Sequence, residues 1–383
     1  MKHTKELTVI MPCLNEAETL ERCIEKAQKC MNDNGINGEV LIADNGSTDG
    51  SIEIAKKCGA RIAHISERGY GAALRGGTSE ACGKYCIMGD ADDSYDFSQL
   101  MPYMEKLREG YDLVMGNRFK GGIEKGAMPL LHKYLGTPVI SFIGRLFYHN
   151  KIGDFNCGMR GYNTEKIIDL NLKSNGMEYA SEMIVQSALH NYKIAEVPTT
   201  LSVDGRSREP YLSTWSDGWR HLKFLLLHSP NWLFLIPGLF LIILGFIMMV
   251  TLVIGPVIIN DISFDINTML FAAGFILAGV NAVLFSCYTK IFAAQTGYIP
   301  LTDSVRKISK FTMEKGIIVG ILMILGGLIA SVASIAIWSK TSFGDLNPEE
   351  IMRITIPAIT SCVIGVELVF GGFFLEILRI EHS

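Results

Sequence analysis

The chain has no basic excess. Its 35 Lys and Arg are outnumbered by 39 Asp and Glu, giving a formal charge of −4 and a pI near 6.1, so the electrostatic footprint of nucleic-acid binding is missing. It has no C-x-x-C pair either. The nine cysteines are odd in number and scattered, with Cys13, Cys23, Cys30, Cys58, Cys82, Cys86 and Cys157 in the first half; that suits a reducing compartment better than a disulfide framework. Residues 1–6 enter an apolar strand without the apolar run of a signal peptide, so none is expected. Charge is scarce overall, at 19% against 49% hydrophobic residues, yet the first 210 residues have an ordinary soluble composition. The apolar surplus therefore lies in the C-terminal part. A length of 383 residues allows about two or three domains.

What is present starts with strands alternating with helices. Residues 7–11 form an apolar strand stopped by Pro12, and Asn15-Glu16 open a helix whose apolar positions run through Leu20, Ile24 and Ala27. A strand at 40–43 ends in Asp44-Asn45-Gly46-Ser47-Thr48-Asp49-Gly50. A strand at 61–65, a glycine-opened helix at 69–82 and a strand at 85–88 follow. This pattern predicts an α/β domain with a parallel sheet, helices on both faces and ligands at the carboxyl rim.

The stretch after the strand at 85–88, Gly89-Asp90-Ala91-Asp92-Asp93-Ser94, carries the most chemistry. Read as alternating strand residues, Asp90 and Asp92 project to one side. Two such carboxylates repel. A divalent cation between them removes the repulsion, and oxygen-only ligation suits Mg²⁺ or Mn²⁺ completed by substrate phosphates; the competing reading is a solvated acidic turn. Asp44 is placed to accept hydrogen bonds from a base or ribose, whereas Ser47 and Asp49 either join it or cap the next helix. Arg68-Gly69-Tyr70-Gly71, with Arg75 one turn into the helix, offers N–H groups and a guanidinium to a diphosphate, unless it is a plain glycine turn. Glu178 and Glu182 share a helix face, and Glu182 is either a contact of the sugar or acceptor pocket or a surface carboxylate. Asp204-Gly205-Arg206-Ser207-Arg208-Glu209-Pro210 either closes over phosphates or is a surface loop.

Residues 129–149 are apolar nearly all round, broken only by His132, Lys133 and Arg145. Such a helix is buried or lies in a lipid interface with its cations at headgroup level, and those cations, with Arg118 before them, favour the interface. Residues 213–231 set Trp215, Trp219, Leu222 and Leu226 against Arg220 and Lys223, as interfacial helices do. Four apolar runs follow, at about 232–254, 268–292, 317–338 and 354–378, each near the roughly 20 residues that cross a bilayer. The expected organisation is a soluble domain at 1–212, an interfacial helix at 213–231 and a membrane domain at 232–383. Arg306, Lys307, Lys310 and Lys315 lie between the second and third runs, against no Lys or Arg near Asn260, Asp261 and Asp265. The positive-inside rule puts the former loop, the soluble domain and both termini in the cytoplasm, and Arg379 agrees. Asn281 and Glu367 fall near mid-membrane. A charged carboxylate there costs roughly 2.5–3.5 kcal/mol, so a contact between the two is expected, the alternative being another partner such as a second copy of the chain.

Taken together, Pro12-x-x-Asn15-Glu16, Asp44-x-x-Ser47-x-Asp49-Gly50, Gly69-x-Gly71-x-x-x-x-Arg75, Asp90-Ala91-Asp92 and Gly116-Asn117-Arg118 resemble glycosyltransferase family 2, with polyprenyl-phosphate glycosyltransferases such as dolichol-phosphate mannose and glucose synthases most similar. The resemblance covers about residues 6–230. It implies a GT-A fold, an inverting mechanism, a nucleotide-sugar donor, a polyprenyl or dolichyl phosphate acceptor in the bilayer, and a divalent metal on Asp90 and Asp92. It further implies donor binding by Pro12, Asn15, Glu16, Asp44, Asn45, Ser47, Arg75, Asp90, Ala91 and Asp92, with Asp154, Arg160 and Glu182 beside the sugar. Arg118, Lys133, Ser141, Arg206 and Arg208 fall to the acceptor phosphate, and Asp92 and Arg118 become the catalytic pair. Two departures stand out: Asp93-Ser94 replace a usual Leu-Gln, and Gly136-Thr137 a usual Gly-Asn. A processive polysaccharide synthase is a rival, but its Gln-x-x-Arg-Trp motif is absent. A non-catalytic protein that translocates or scaffolds a lipid-linked sugar is another, against which Asp90-Ala91-Asp92 argues. The segment 204–219 leans slightly towards a UDP-sugar such as UDP-glucose over GDP-mannose.

Overall fold

The computed structural model describes residues 3–148, 150–207, 214–300, 314–340, 342–345 and 347–380, in two compact units, 1–225 and 226–383. The first runs β1 (Lys5–Cys13), α1 (Leu20–Asp33), β2 (Gly38–Asp44), α2 (Ser51–Lys57), β3 (Arg61–His64), α3 (Tyr70–Glu80), β4 (Gly83–Met88), α4 (Met101–Arg108), β5 (Leu113–Asn117) and the short α5 (Arg118–Gly121). A π-helical turn (His132–Gly136) leads into α6 (Thr137–Tyr148), and β6 (Arg160–Asn163), α7 (Thr164–Asp169), α8 (Glu178–Leu189), β7 (Ile194–Pro198) and α9 (Thr214–Leu227) follow. The central strands β1, β2 and β4 carry runs of buried apolar residues because both faces of the sheet are covered. Val9, Ile42, Ile87 and Val114 enter one core, while Ile10, Leu41, Cys86 and Met115 enter the other.

The seven strands order as β3-β2-β1-β4-β6-β5-β7. Cys13 pairs with Asp44, and Ile10 with Met88, so β1, β2 and β4 end on one rim. One strand departs from the expected parallel sheet: β6 is antiparallel to β4 and β5. Its first residue, Arg160, pairs with Met88 at the end of β4. The chain thus enters β6 at the rim where β4 leaves it, which brings the preceding loop against residues 89–95. The helix expected from Asn15 begins only at Leu20. Asn15 takes a left-handed φ of 61°. The N–H groups of Asn15, Glu16 and Ala17 donate to side chains of Ser47, Ser51 and Asp49, not to a carbonyl ladder.

Residues 129–149 are not apolar on both sides in the same sense. Thr137, Ile140, Ser141, Gly144 and Tyr148 are buried, whereas Leu130 (73%), Tyr134 (72%) and Phe142 (58%) stand exposed. In α9, Leu222, Phe224 and Leu225 pack on the same core as Ile140, and Trp219 is exposed; the Trp215 side chain lies outside the described residues.

The second unit opens with a π-helical turn (Asn231–Leu235) into α10 (Ile236–Ile254), then a hairpin of β8 (Val257–Ile259) and β9 (Ile262–Phe264), α11 (Ile266–Gln295), α12 (Glu314–Ser339) and α13 (Pro348–Ile380). Among the described residues, four helices are long and apolar enough to cross a membrane. They meet through glycine. A methyl group on Gly238 would lie 2.9 Å from the Gly279 carbonyl oxygen, and one on Gly279 2.6 Å from that of Gly238; Gly320 and Gly365 show the same reciprocal approach at 2.6 and 2.5 Å. Backbones can come this close only without side chains, as membrane helix pairs exploit. Between α11 and α13, Asn281 Nδ2 donates to Glu367 Oε1 at 2.8 Å, the contact expected from the sequence.

Candidate active site

The rim collects the loops that follow β1, β2 and β4. Asp90 and Asp92 do not sit on β4, which ends at Met88, but in the turn after it, so turn geometry, not strand alternation, sets their directions. Asp90 Oδ1 accepts from Tyr70 OH at 2.9 Å. Burial first, and the charge of Asp92 second, push the Asp90 carboxyl up to about 7, against Tyr70 and Arg206. Asp92 Oδ1 accepts from Ser94 N and Oγ at 3.1 and 2.6 Å, and Oδ2 accepts from Arg206 Nη2 at 3.0 Å. Ser94 thus fixes the Asp92 side chain. The additional Asp93 is neutralised by Lys26 at 2.7 Å and Arg22 at 3.5 Å on α1, which makes this departure from the family pattern a tether between loop and helix.

Glu16 Oε1 meets Arg206 Nη1 at 3.1 Å. Arg206 also binds Asp204, and the loop is further fastened by Gly205 N to Asp92 O at 3.0 Å and by Ser207 N and Oγ to Glu18 at 2.7 and 2.6 Å. Arg208 lies outside the described residues. Asp44, buried at the end of β2, accepts from Gly46 N, Ser47 N and His64 Nδ1 at 3.2, 3.0 and 3.3 Å. Burial raises its carboxyl, but the bonds from Ser47, His64 and Gly46 outweigh that and leave it below its ordinary value.

Other residues expected at the donor serve the scaffold. Asn45 donates to the Ile65 and Glu67 carbonyls at 3.0 and 2.7 Å and accepts from Gly69 N at 2.8 Å, so it shapes the β3–α3 loop. Ser47 Oγ accepts from Asn15 N at 3.1 Å, and Asn15 Oδ1 from Thr48 N at 2.8 Å. Asp49 Oδ1 caps α2 through Ser51 N at 3.0 Å. Pro12 and Ala91 offer only backbone here, Ala91 O accepting from Thr19 Oγ1 at 2.6 Å. Arg75 is paired with Glu67 rather than turned outward. Glu182, expected beside the sugar, instead accepts from Lys173 N and Ser174 N at 3.0 and 2.8 Å and is buried. Arg160 is wholly buried and donates to the Cys157 carbonyl at 2.9 Å, the Phe155 carbonyl at 3.2 Å and the Ala180 carbonyl; burial lowers its affinity for the proton. Both are staples of the fold.

On the acceptor side, Arg118 and Asp154 form a buried two-pronged pair, Nε to Oδ2 at 2.7 Å and Nη2 to Oδ1 at 2.8 Å. Ser141 Oγ, also buried, accepts from Phe155 N at 3.1 Å. Both residues brace the 153–158 loop. Lys133 stays partly exposed beside the Tyr134 ring. Sequence reasoning missed Tyr70, Tyr95 and Glu196. Tyr95 OH accepts from Gly158 N at 2.8 Å, and Glu196 accepts from Gly153 N and Asp154 N at 2.6 and 3.1 Å and from Lys120 at 2.8 Å. Gly158 is needed for closeness, since a methyl there would lie 2.8 Å from Asp90 Oδ2. Only the glycine motif around Tyr70 gave any signal in the sequence.

Among the described residues no three His, Cys, Asp or Glu side chains converge to cage a metal. Asp90 and Asp92 nonetheless fit a hard divalent ion of the kind held by one or two carboxylates and completed by substrate phosphates. The donor set is all oxygen, and the guanidinium on Asp92 and Glu16 shows that the turn attracts positive charge.

A mostly parallel α/β sheet with acidic carboxyl-rim loops, joined in sequence to four membrane-length helices, defines a GT-A-type enzyme with a membrane region. Residues 8–170 match the family described as "Glycosyl transferase family 2" and residues 287–379 the "Glycosyltransferase family 2 C-terminal transmembrane region". The chain is 33% identical over 372 residues to the low-salt glycan biosynthesis hexosyltransferase Agl6 of Haloferax volcanii, covering 96% of this chain and 88% of that protein. A dolichyl-phosphate hexose transferase of the same organism is 28% identical over 193 residues, covering 50% of this chain and 81% of that one. Among solved structures, glucosyl-3-phosphoglycerate synthase from Mycobacterium tuberculosis superposes with a TM-score of 0.46 at 18% identity, over 59% of this chain and 80% of that one. The chain belongs to glycosyltransferase family 2.

Proposed function

We propose that this glycosyltransferase moves a single hexose, with inversion, from a nucleotide-sugar to a polyprenyl phosphate in the membrane, with a UDP-sugar such as UDP-glucose favoured over GDP-mannose. The observation that carries the reading is the Asp90–Asp92 turn at the sheet rim, where burial and the nearby Asp92 charge together raise the Asp90 carboxyl. The names of the two Haloferax volcanii relatives support hexosyl transfer, and that of one supports a dolichyl-phosphate acceptor. The four membrane-length helices and the exposed apolar face of α6 support a lipid acceptor.

A phosphate monoester has a second pKa near ~6 and is mostly ionised at neutral pH, so the chain need not supply a strong base. Its residues position and neutralise instead. Asp90 and Asp92 would hold Mg²⁺ or Mn²⁺, which when bound supplies charge to stabilise a departing diphosphate. Asp44 and the β2–α2 loop address the nucleoside. The Arg118–Asp154 pair, Ser141 and Glu196 hold the 153–158 loop in the shape against which the sugar rests, and Lys133 is the accessible cation for the acceptor phosphate. The catalytic unit and the segment between the second and third membrane-length helices face the cytoplasm, on the strength of Lys315 and of Arg306, Lys307 and Lys310, the last three lying outside the described residues.

The test is to incubate the purified full chain and a polyprenyl phosphate with labelled UDP- and GDP-hexoses, with and without Mn²⁺. A lipid carrying one sugar is the expected product. A polymer would favour a processive synthase, and no product with any donor would reduce the chain to a scaffold.

A further inference from the structure

Arg206 is the only described cation bonded to Asp92, and it reaches three loops at once: Glu16 after β1, Asp92 after β4 and its own Asp204. Its side chain is largely buried, at 16% exposure, while Gly205 and Ser207 tie the backbone on either side to Asp92 and Glu18. One positive charge thus already offsets part of the negative charge of Glu16 and Asp92. Resting on the reading of Asp90 and Asp92 as cation ligands, we propose that Arg206 is a built-in counter-ion that a divalent cation must displace from Asp92, so that metal loading unlatches the 204–207 loop. A cation held by Asp92 would lie close to the guanidinium that donates to its Oδ2 at 3.0 Å, and the repulsion between two positive charges at that range sets them in competition. The freed arginine is then one more fork-shaped donor for phosphate.

The experiment measures Mn²⁺ alone binding to the full chain in detergent, by electron paramagnetic resonance, in wild type, Arg206→Gln and Arg206→Lys. Hydrogen exchange of residues 204–207 with and without Mn²⁺ is followed alongside. Arg206→Gln should bind Mn²⁺ about fivefold tighter or more and Arg206→Lys less so, and Mn²⁺ should speed exchange at Gly205 and Ser207 in wild type. Equal or weaker binding by Arg206→Gln, with exchange unmoved by Mn²⁺ in wild type, overturns the latch and leaves the metal site standing. Failure of all three proteins to bind Mn²⁺ overturns both.

A separate observation concerns the membrane unit. Ile236, Gly238, Ile242, Gly245, Ile247 and Val250 recur at one constant offset as Ile318, Gly320, Ile324, Gly327, Ile329 and Val332. Ala272, Gly279, Val280, Val283 and Ile291 recur likewise as Ala358, Gly365, Val366, Val369 and Ile377. The contacts repeat with the letters. Gly238 approaches the Gly279 carbonyl as Gly320 does that of Gly365, and Gly245 approaches the Ala272 carbonyl at 2.6 Å as Gly327 does that of Ala358 at 2.6 Å. Asn281 and Glu367 sit at equivalent positions of the two hairpins and touch each other. One heptad on, Tyr288 and Phe374 do so too, with ring centroids 4.9 Å apart. Equivalent residues of two helices meet in this way only when the helices are parallel and related by a twofold axis between them. We infer that the membrane unit is a tandem duplication of one helical hairpin, and that Asn281 and Glu367 face each other across its internal twofold axis as a parallel repeat would place them.

Equivalence makes the two positions exchangeable, which thermal unfolding of the full chain in detergent can read. Asn281→Glu alone opposes two carboxyl groups and should lower the melting temperature by several degrees. Glu367→Asn alone gives an Asn–Asn pair and should be mild, and the double exchange, Asn281→Glu with Glu367→Asn, should recover most of the loss. A double exchange no more stable than Asn281→Glu alone overturns the internal symmetry.

Discussion

The two units solve opposite packing problems. In residues 1–225 the rim is made of polar side chains that bond to backbone and to one another across loops far apart in sequence, as Arg118 does with Asp154 and Glu196 with Gly153. In residues 226–383 the helices meet through apolar side chains and close glycine-to-carbonyl approaches, with fewer side-chain bonds between elements, such as Asn281 to Glu367 and Arg353 to Asp265. Water competes for hydrogen bonds around the first and not within a bilayer around the second, yet the first needs the more elaborate polar scaffold. The lesson is that its bonds serve precision: loops carry the chemistry, and loops hold position only when their ends are tied.

The comparison breaks most visibly at Asp92. Asp92→Asn keeps the bond from Ser94 but removes the charge, and sugar transfer should fall by about 10³-fold or more with an unchanged circular dichroism spectrum and melting curve. Retained transfer in that variant, or full activity of wild type under chelation, would sink the metal assignment. Next comes Asp154→Ala, which leaves the Arg118 guanidinium buried and unpaired; a loss of about 3–5 kcal/mol should appear as early unfolding of the catalytic unit by hydrogen exchange. On the membrane side, Gly279→Val would drive a side chain against the Gly238 carbonyl and should destabilise that unit by about 1–3 kcal/mol, read as a lower melting temperature in detergent without a change in donor binding. Catalytic-unit unfolding in that variant would contradict the separateness of the two solutions.

The smallest effect is one of pH. Burial raises the Glu39 carboxyl, but bonds from Arg61, Cys82 N–H and Thr8 outweigh it, so its folded pKa lies below its ordinary value of 4.5. Such a group stabilises fully above that ordinary value and loses its contribution as pH falls through the lower folded value. Glu39→Gln should therefore flatten the acid side of the stability profile of the catalytic unit by about 1 kcal/mol or less, measured by urea unfolding between neutral pH and pH 3. An unchanged acid slope would remove Glu39 from that account.

Much of this was legible beforehand, and the reasons are unequal. Period and composition exposed β1 to β4, the four membrane-length helices and the rim position of Asp44, Asp90 and Asp92, since burial on both faces writes itself into apolar runs. Asn281 and Glu367 could be paired on paper because a polar group in hydrocarbon needs a partner and few were on offer. What escaped was tertiary. Four residues of β6 carry no period that shows direction, and nothing near Asn15 tells that residues 47–51 will take its N–H groups. Arg160 and Glu182 drew notice as charges in a motif and on a helix face; that their hydrogen bonds run to carbonyls and amides is visible only in the fold. Arg118 and Asp154 were both singled out, but a bond between residues so far apart in sequence has no local sign.

The outward side of α6 has a practical consequence. With Phe142 on α6, and Leu130 and Tyr134 just ahead of it, turned away from the core, a version of the protein cut after residue 225 would still carry exposed apolar side chains of the kind that lead soluble domains to self-associate or cling to vesicles. Removing the membrane helices would not by itself yield a freely soluble enzyme, and such a fragment should be handled with surfactant or lipid from the first step of purification.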